Sequence, residues 1–279
     1  MSTWVVDARA LFHRYRAWRC GVVPDGMRAE RLAHLLRYTS VRADGEGMIL
    51  FAQLDAGREA AQINEQIAWF AALEQDFEWS VYGLDEPADL QQRLQDRGFT
   101  AGSPESFMLQ PVKAQAHPNE RQIRTDPGTE AASDAASAAW DIRRIHDTAG
   151  VCDVVHVQEQ VWNGSFAWVG DALLRRLRTD PAGLIVLCAY DHERPIGSGW
   201  IDIPPAGGAF AELHGGAVLP SWRGKGLYTA MYRLRRAEAS RFGCDYLAVD
   251  ATVLSEAILR RRGFLHICRA TPMRYTFTG

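Results

Sequence analysis

The segment at residues 218–228, VLPSWRGKGLY, constrains the fold more than any other part of the chain. An apolar stretch typical of a β-strand precedes it and a helical pattern follows it, so it predicts a strand, a tight turn and a helix. Gly224 and Gly226 lack a Cβ and let a ligand approach the backbone closely. The first N–H groups of the following helix lack intrahelical partners and lie at the positive end of its dipole, so the turn predicts a phosphate site.

The spacing of these glycines excludes two common nucleotide-binding loops. The dinucleotide pattern GxGxxG would need a third glycine where the chain has Thr229. A P-loop would need Ser or Thr after its Gly-Lys pair, and Gly226 stands there. The phosphate ligand therefore belongs to another class.

The segment resembles the acyl-CoA pyrophosphate loop of the GNAT (GCN5-related N-acetyltransferase) superfamily, whose pattern is Arg/Gln-x-x-Gly-x-Gly/Ala. Arg223 and Gly226 match this pattern, whereas Tyr228 occupies its last, usually small, position. The preceding Val218-x-Pro220 is also typical of the family. The resemblance implies acetyl-CoA as cosubstrate, bound by a turn made of Arg223, Gly224, Lys225, Gly226, Leu227 and Tyr228.

A second stretch, at residues 255–264, resembles the family's helix that ends in Gly-Phe and lines the pantetheine end of the cofactor. It implies cofactor contacts from Ser255 and Leu259. Many family members carry, at the position of Leu259, a tyrosine that protonates the leaving thiolate. Its absence leaves that role to Ser255 or Tyr228, or to a thiol of pKa about 8.5 leaving unaided.

The resemblance also assigns a role to the strand before the turn. The backbone N–H groups of Ala217, Val218 and Leu219 are expected to bind the pantetheine and the thioester oxygen. The pair Gly215-Gly216 just before them predicts a β-bulge that opens the strand.

Two side chains on this strand are candidates for the general base that takes the amine proton. Glu212 is acidic, as this position often is in the family, and His214 ionises near neutral pH. The two-residue period of a strand places both on one face. The sequence leaves the choice open, because the bulge decides which side chain faces the cleft.

The chain divides into two similar parts. Residues 113–138 have the composition of a linker, separating a first part, 1–112, from a second part, 139–279. Each part contains a strand, a helix, the triplet Arg-Gly-Phe (at Gly98 and at Gly263) and a further strand, which favours a tandem duplication. The first part has LDAGREA at 54–60 in place of the glycine turn, so we expect it to have lost its cofactor site.

The apolar patterns predict an α/β fold of two GNAT-like domains, each with a mixed central sheet flanked by helices. In the second part they predict two helical regions, a final helix and six strands. The helices are expected at 151–178, 225–242 and 255–262, and the strands at 140–145, 184–190, 195–203, 210–218, 246–250 and 273–277.

Charge and cysteine content exclude several function classes. Lys and Arg number 31 and Asp and Glu 34, so the chain has no overall positive field for nucleic acid or an anionic membrane. No apolar stretch is long enough for a bilayer span, and the first 19 residues carry charges where a signal peptide needs an apolar run. The five scattered cysteines show no metal-site spacing. We expect a cytoplasmic protein without a metal.

The acceptor pocket is expected beyond the first strand of the second part, where Trp162, Phe166 and Trp168 cluster around a Gly-containing stretch. Nothing in this stretch names the acceptor. The sequence therefore predicts an acetyl-CoA-dependent N-acetyltransferase for a small primary amine, as a monomer or homodimer. The alternatives are a non-catalytic acyl-CoA-binding or interaction module and a protein N-acetyltransferase.

Overall fold

The computed structural model describes residues 7–42, 45–112, 140–204 and 208–277. The chain forms two compact units. Unit 1 comprises Met1–Leu109 and Asp250–Gly279, and unit 2 comprises Gln110–Val249. The predicted linker, 113–138, lies outside the described residues.

Unit 1 is a mixed α/β structure. Its elements are α1 (Ala8–Arg19), β1 (Met27–Arg31), β2 (Leu36–Ser40), β3 (Gly47–Leu50), α2 (Glu59–Ala72), β4 (Phe77–Tyr82), α3 (Leu90–Gln95), β5 (Thr100–Ala101), β6 (Glu105–Pro111), whose last two residues fall in unit 2, α7 (Val253–Arg260) and β12 (Leu265–Tyr275). The pairs β1–β2 and β2–β3 are antiparallel, whereas β3 and β4, joined by α2, are parallel.

The last strand of the chain lies inside unit 1. β12 pairs antiparallel with β4 on one side, from Ala270↔Tyr82 to Tyr275↔Phe77. On the other side it pairs with β6, from Leu265↔Leu109 to Ala270↔Glu105. Met273, near the C-terminal end of β12, is buried in the same core as Trp79. The packing therefore groups the last helix and strand with unit 1, and the sequential division at 113–138 stays a prediction.

Both Gly-Phe motifs end a helix in the same way. Gly98 after α3 has φ +91° and Gly263 after α7 has φ +87°. The next residue in each motif donates its N–H back across the helix end, from Phe99 to Leu94 O (3.2 Å) and from Phe264 to Leu259 O (3.1 Å). This is a glycine-capped helix end, which explains why the triplet recurs.

Unit 2 consists of a five-stranded sheet and three helices in its described part. The elements are β7 (Asp141–Ile145), α4 (Thr148–Trp162), α5 (Ala167–Thr179), β8 (Leu184–Asp191), β9 (Arg194–Asp202), β10 (Phe210–Val218), α6 (Leu227–Arg241) and β11 (Tyr246–Ala251), whose last two residues fall in unit 1. β7, β8, β9 and β10 pair antiparallel in that order, and β10 pairs parallel with β11.

The two faces of this sheet pack against different helices. On β9, Ser198 accepts a hydrogen bond from Gln158 of α4. A Cβ at the neighbouring Gly197 would instead meet Leu227 and Met231 of α6. Because successive side chains of a strand point to opposite faces, α4 and α6 cover opposite sides of the sheet.

The α/β class with a mixed sheet is thus confirmed, and so are most predicted elements. The exception is the last strand, which begins at Leu265 rather than near Met273. Its first half, Leu-His-Ile-Cys-Arg-Ala, does not alternate regularly between apolar and polar residues, and this weakens the strand signal.

Candidate functional site

The predicted bulge in β10 is present. The register with β9 runs regularly to His214↔Trp200 and resumes at Ala217↔Ser198, so one extra residue is inserted. Gly215 has φ +56°, a left-handed conformation that favours glycine. A Cβ at Gly215 would lie 1.8 Å from the Trp200 ring, so any larger residue would overlap that ring.

β10 separates from β11 at the same level. Their parallel register covers Phe210↔Tyr246, Ala211↔Leu247 and Glu212↔Ala248. Although β10 continues to Val218, no further pair with β11 is found in the described residues. The backbone of Ala217 and Val218 therefore lies in a segment that β9 alone pairs, which is where an extended ligand chain can be bound by N–H groups.

The glycine turn follows directly and opens α6. Gly224 and Gly226 have φ +75° and +89°, and no described atom lies within 4 Å of where either Cβ would stand. Gly226 is the N-cap of α6 and has no side chain that could cap the helix. The next residue, Leu227, is buried. The turn thus offers an open approach to a helix N-terminus, which fits a pyrophosphate.

Two cations border this turn. Arg223 Nε donates to Val218 O at 3.1 Å and ties the turn to the end of β10. Lys225 Nζ lies 4.5 Å from the centre of the Trp222 ring, and Trp222 in turn contacts Trp140 edge-on. Both positive charges are available to a phosphate group beside the helix N-terminus.

Tyr228 packs against the bulge. A Cβ at Gly216 would lie 3.2 Å from the Tyr228 ring and 3.4 Å from its hydroxyl oxygen. Burial raises the pKa of Tyr228, and the nearby positive charge of Arg235 opposes that rise. The hydroxyl therefore stays protonated at neutral pH and can donate a hydrogen bond.

Glu212 and His214 lie on the face of the sheet that carries α4. In the register Glu212 is opposite Asp202 and His214 is opposite Trp200. His214 Nε2 lies 3.2 Å from an Asp202 carboxylate oxygen, and Arg176 of α5 binds the other oxygen at 3.2 Å. Glu212 is half-buried, whereas His214 is exposed, so solvent reaches the histidine more readily.

A buried glutamine that sequence reasoning missed supports the bulge from the α4 side. Gln158 is 2% exposed, and its Nε2 donates to Gly215 O at 2.6 Å and to Ser198 Oγ at 2.8 Å. Its Oε1 accepts from the Trp162 indole at 3.1 Å. A polar residue on the apolar face of α4, between Val154 and Val161, was the only signal in the sequence.

The three predicted acceptor aromatics have different environments. Trp162 reaches the bulge through Gln158, whereas Phe166 packs on the core beneath α4 and α5. Trp168, at the start of α5, is 69% exposed. Among these three described residues, the hydrogen bonds through Gln158 connect Trp162 to the bulge. The role of all three in acceptor binding stays a prediction.

Ser255 and Leu259 lie in α7, within unit 1. Leu259 is 1% exposed and accepts the N–H that caps the helix, whereas Ser255 Oγ bonds to Thr252 O at 3.2 Å. Leu259 therefore has a structural role in its own unit, and the cofactor contacts of both residues stay predictions.

Unit 1 has a different structure where its own glycine turn would lie. β3 and β4 pair as far as Leu50↔Ser80. Beyond the ends of these strands, the two chain segments pair again at a single bridge between Gln53 and Glu86. Phe51, with φ +59°, stacks on Tyr82 at the intervening break, and Phe12 and Phe107 pack around them. Aromatic rings thus fill this break.

The start of α2 in unit 1 carries two carboxylates beside the N-cap residue Arg58. Asp55 and the Gln62 side chain hydrogen-bond each other twice, at 2.9 Å each, and Glu59 lies in the first turn. Carboxylates at this position repel a phosphate group.

Comparison with known proteins agrees with the geometry of unit 2. Residues 146–264 match the family model described as "Acetyltransferase (GNAT) family". This segment is therefore a domain of the GNAT acetyltransferase family. No curated protein sequence matches the chain significantly.

Three solved structures share the fold at low sequence identity. A GCN5-related N-acetyltransferase from Kribbella flavida aligns over 99% of this chain and 98% of its own, with 13% identity and a TM-score of 0.60. A functionally unknown conserved protein from Staphylococcus epidermidis aligns over 92% and 97%, with 10% identity and a TM-score of 0.60. A glucosamine N-acetyltransferase region of a fungal multi-domain GH3 β-N-acetylglucosaminidase aligns over 87% of this chain and 31% of that one, with 13% identity and a TM-score of 0.56.

The described residues contain neither a metal cluster nor a membrane-spanning helix. No group of three or more His, Cys, Asp or Glu side chains among them has metal-site geometry. No helix among them is long and apolar enough to span a bilayer.

Proposed function

We propose that the protein is an acetyl-CoA-dependent N-acetyltransferase that acts on a primary amine of a small molecule, with its site in unit 2. One observation carries this proposal: β10 is bulged, leaves β11 after Glu212, and ends in the open glycine turn of α6. Acetyl-CoA supplies the activated acetyl group as a thioester.

The chain's own residues have separable tasks in this proposal. The N-terminus of α6, with Gly224, Gly226 and Lys225, holds the pyrophosphate. The backbone N–H groups of Ala217 and Val218 orient the pantetheine arm and the acyl oxygen. The expected contribution of Leu219 is dropped, because its N–H donates to Ile196 O of β9 at 3.0 Å. Positioning of the amine against the thioester then supplies part of the rate enhancement, since holding two reactants in the right orientation lowers the activation barrier by several kcal/mol.

The proton of the attacking amine goes to Glu212 or to His214. Both side chains lie on one face, directly before the bulge. Glu212 is half-buried and faces Asp202 across the strand pair, whereas Asp202 orients the His214 imidazole, as a carboxylate does in a catalytic dyad. The Tyr228 hydroxyl, which remains protonated because burial raises its pKa, is a candidate proton donor to the leaving thiolate.

We further propose that the first part of the chain is a degenerate GNAT-like half with no cofactor site. Three features support this: the bridge between Gln53 and Glu86 beyond the ends of β3 and β4, the aromatic rings around Phe51, and the carboxylates at the start of α2. Its proposed role is structural.

The experiment that tests the function follows thiol release from acetyl-CoA with a panel of primary amines, including aminoglycosides, amino sugars, polyamines and peptides with a free N-terminus. We expect amine-dependent thiol release and an acetylated small molecule by mass spectrometry. Thiol release without any amine would indicate hydrolysis. Tight acetyl-CoA binding with no transfer would favour the non-catalytic alternative, and acetylation of peptides alone would favour the protein N-acetyltransferase.

A further inference from the structure

A buried arginine lies beneath the bulge of β10. Leu227, Met231 and Arg235 follow one another at four-residue spacing on the face of α6 that packs against the sheet, and Arg235 is 2% exposed. Lys and Arg are almost never fully buried unless paired. In the described part of the chain no carboxylate pairs with Arg235, and burial lowers its pKa.

The guanidinium is held by backbone carbonyls instead. Its Nη1 donates to Trp200 O at 3.4 Å and to His214 O at 3.3 Å, while Nε donates to Met231 O at 3.2 Å. Trp200 and His214 are the cross-strand pair directly before the register shift. Arg235 therefore bridges β9 and β10 at the last regular pair before the bulge.

A glycine of β9 makes room for this side chain. A Cβ at Gly199 would lie 2.9 Å from Arg235 Nη1, closer than a real Cβ approaches, whereas one at Gly216 would lie 3.6 Å from Nη2, an ordinary contact distance. An ordinary side chain at Gly199 would displace the guanidinium, because the far end of a long side chain moves more easily than the sheet.

We propose that Arg235 is a positioning residue that holds the bulge of β10 in the shape needed to bind the acyl-CoA arm. The inference rests on the proposed function for its catalytic consequence. A fixed cation beneath the bulge both ties down two carbonyls and gives the adjacent backbone a positive potential, which favours an acyl oxygen bound there.

The test compares Arg235→Met, Arg235→Lys and Gly199→Ala with the control Arg236→Met. Arg236 is the next residue of the same helix and also donates to a backbone carbonyl, Val112 O at 2.8 Å, away from the bulge. Amide hydrogen exchange of residues 213–219 reports the bulge without any assay of activity. We expect exchange there to rise at least tenfold in Arg235→Met and in Gly199→Ala, and not in Arg236→Met.

The kinetic readout separates positioning from simple loss of stability. We expect kcat to fall tenfold to a hundredfold in Arg235→Met, with the acetyl-CoA KM within about threefold of wild type, and Arg235→Lys to recover part of the loss. If Arg235→Met does not fold, Gly199→Ala and Arg235→Lys decide the question. Unchanged exchange at 213–219 in the folded variants, or an equal change in Arg236→Met, overturns the inference. A loosened bulge in a protein that transfers no acetyl group would instead refute the proposed function and leave the role of Arg235 in the bulge standing.

Discussion

Gly215 combines a left-handed backbone with a complete lack of space for a side chain. Replacing it with alanine adds the conformational cost of φ +56° and forces an overlap with the Trp200 ring. We expect Gly215→Ala to lower the free energy of unfolding by about 2–5 kcal/mol. Urea denaturation measures this.

Gly224→Ala is the matched control for Gly215→Ala. Gly224 also has a left-handed backbone, at φ +75°, but the space around it is open. We expect a cost of about 1–2 kcal/mol from the backbone alone. Equal losses in the two variants would show that the contact with Trp200 does not matter.

The two candidate bases can be separated by isosteric substitution. Glu212→Gln removes the basic oxygen and keeps the shape, so we expect kcat to fall about 10²- to 10⁴-fold with little change in acetyl-CoA affinity. His214→Gln is the parallel variant. Steady-state kinetics with a good acceptor decides between them. A fall in kcat in His214→Gln alone assigns the base to His214. An unchanged kcat in both variants would mean that the rate enhancement comes from positioning of the amine.

The buried carboxyl of Asp85 makes unit 1 sensitive to pH. Burial raises the pKa of Asp85 to about 7, although its carboxylate accepts the N–H of Tyr82. An acid whose pKa is raised in the folded state destabilises that state as the pH rises, here between about 4 and about 7. We expect the stability of Asp85→Asn relative to wild type to improve by about 2–3 kcal/mol from pH 5 to pH 8.

Urea denaturation of Asp85→Asn at the two pH values measures this change. Glu86→Gln, which alters the next, exposed side chain, is the control and should show no such gain. A constant difference between Asp85→Asn and wild type would mean that Asp85 is ionised in the folded protein throughout.

Helix α6 allows a controlled test of the phosphate site, because glycines with positive φ flank both its ends. Gly226 precedes the helix at φ +89° and Gly243 follows it at φ +77°, and both have open space. Gly226→Asp places a negative charge at the pyrophosphate position, so we expect the acetyl-CoA Kd to rise at least tenfold.

Gly243→Asp adds the same side chain at the other end of α6 and should leave the Kd unchanged. Calorimetric titration of both variants with acetyl-CoA makes the comparison. An unchanged Kd in Gly226→Asp would remove the turn from the cofactor site.

The elements of the second part could be predicted from the sequence because their signals are local. The turn at Gly224 and Gly226 and the bulge at Gly215 depend on glycine's backbone freedom, which is visible in a few letters. Arg235 could not be recognised in this way. Two arginines stand together at 235 and 236, which indicates a solvated face, and only the packing of α6 on Gly199 shows that the first of them is buried.

The pairing of strands that are distant in the sequence could not be predicted from the sequence alone. Whether the last strand pairs with β11 or with β4 depends on contacts between residues nearly two hundred positions apart, such as Met273↔Trp79. The apolar pattern of β12 is compatible with either partner. Part of the strand could be predicted from the sequence, but its partner strands in the sheet could not.

Met273 tests this grouping. Met273→Ala leaves a cavity beside Trp79, and we expect a loss of about 2–5 kcal/mol that is confined to unit 1. Hydrogen exchange should rise in β4 and stay unchanged in β8 of unit 2. Arg274→Ala, one residue on with an exposed side chain, is the control. Faster exchange in β8 with β4 unaffected would contradict the grouping.

The position of β12 has a consequence for synthesis on the ribosome. Domains usually fold as they emerge, the first one first. Here β4 and β6 leave the ribosome long before the strand that fills the gap between them, whereas all five strands of unit 2 precede β12 in the chain. The nascent chain must therefore hold β1–β6 in an incomplete state, with unpaired edges on β4 and β6, until β12 emerges.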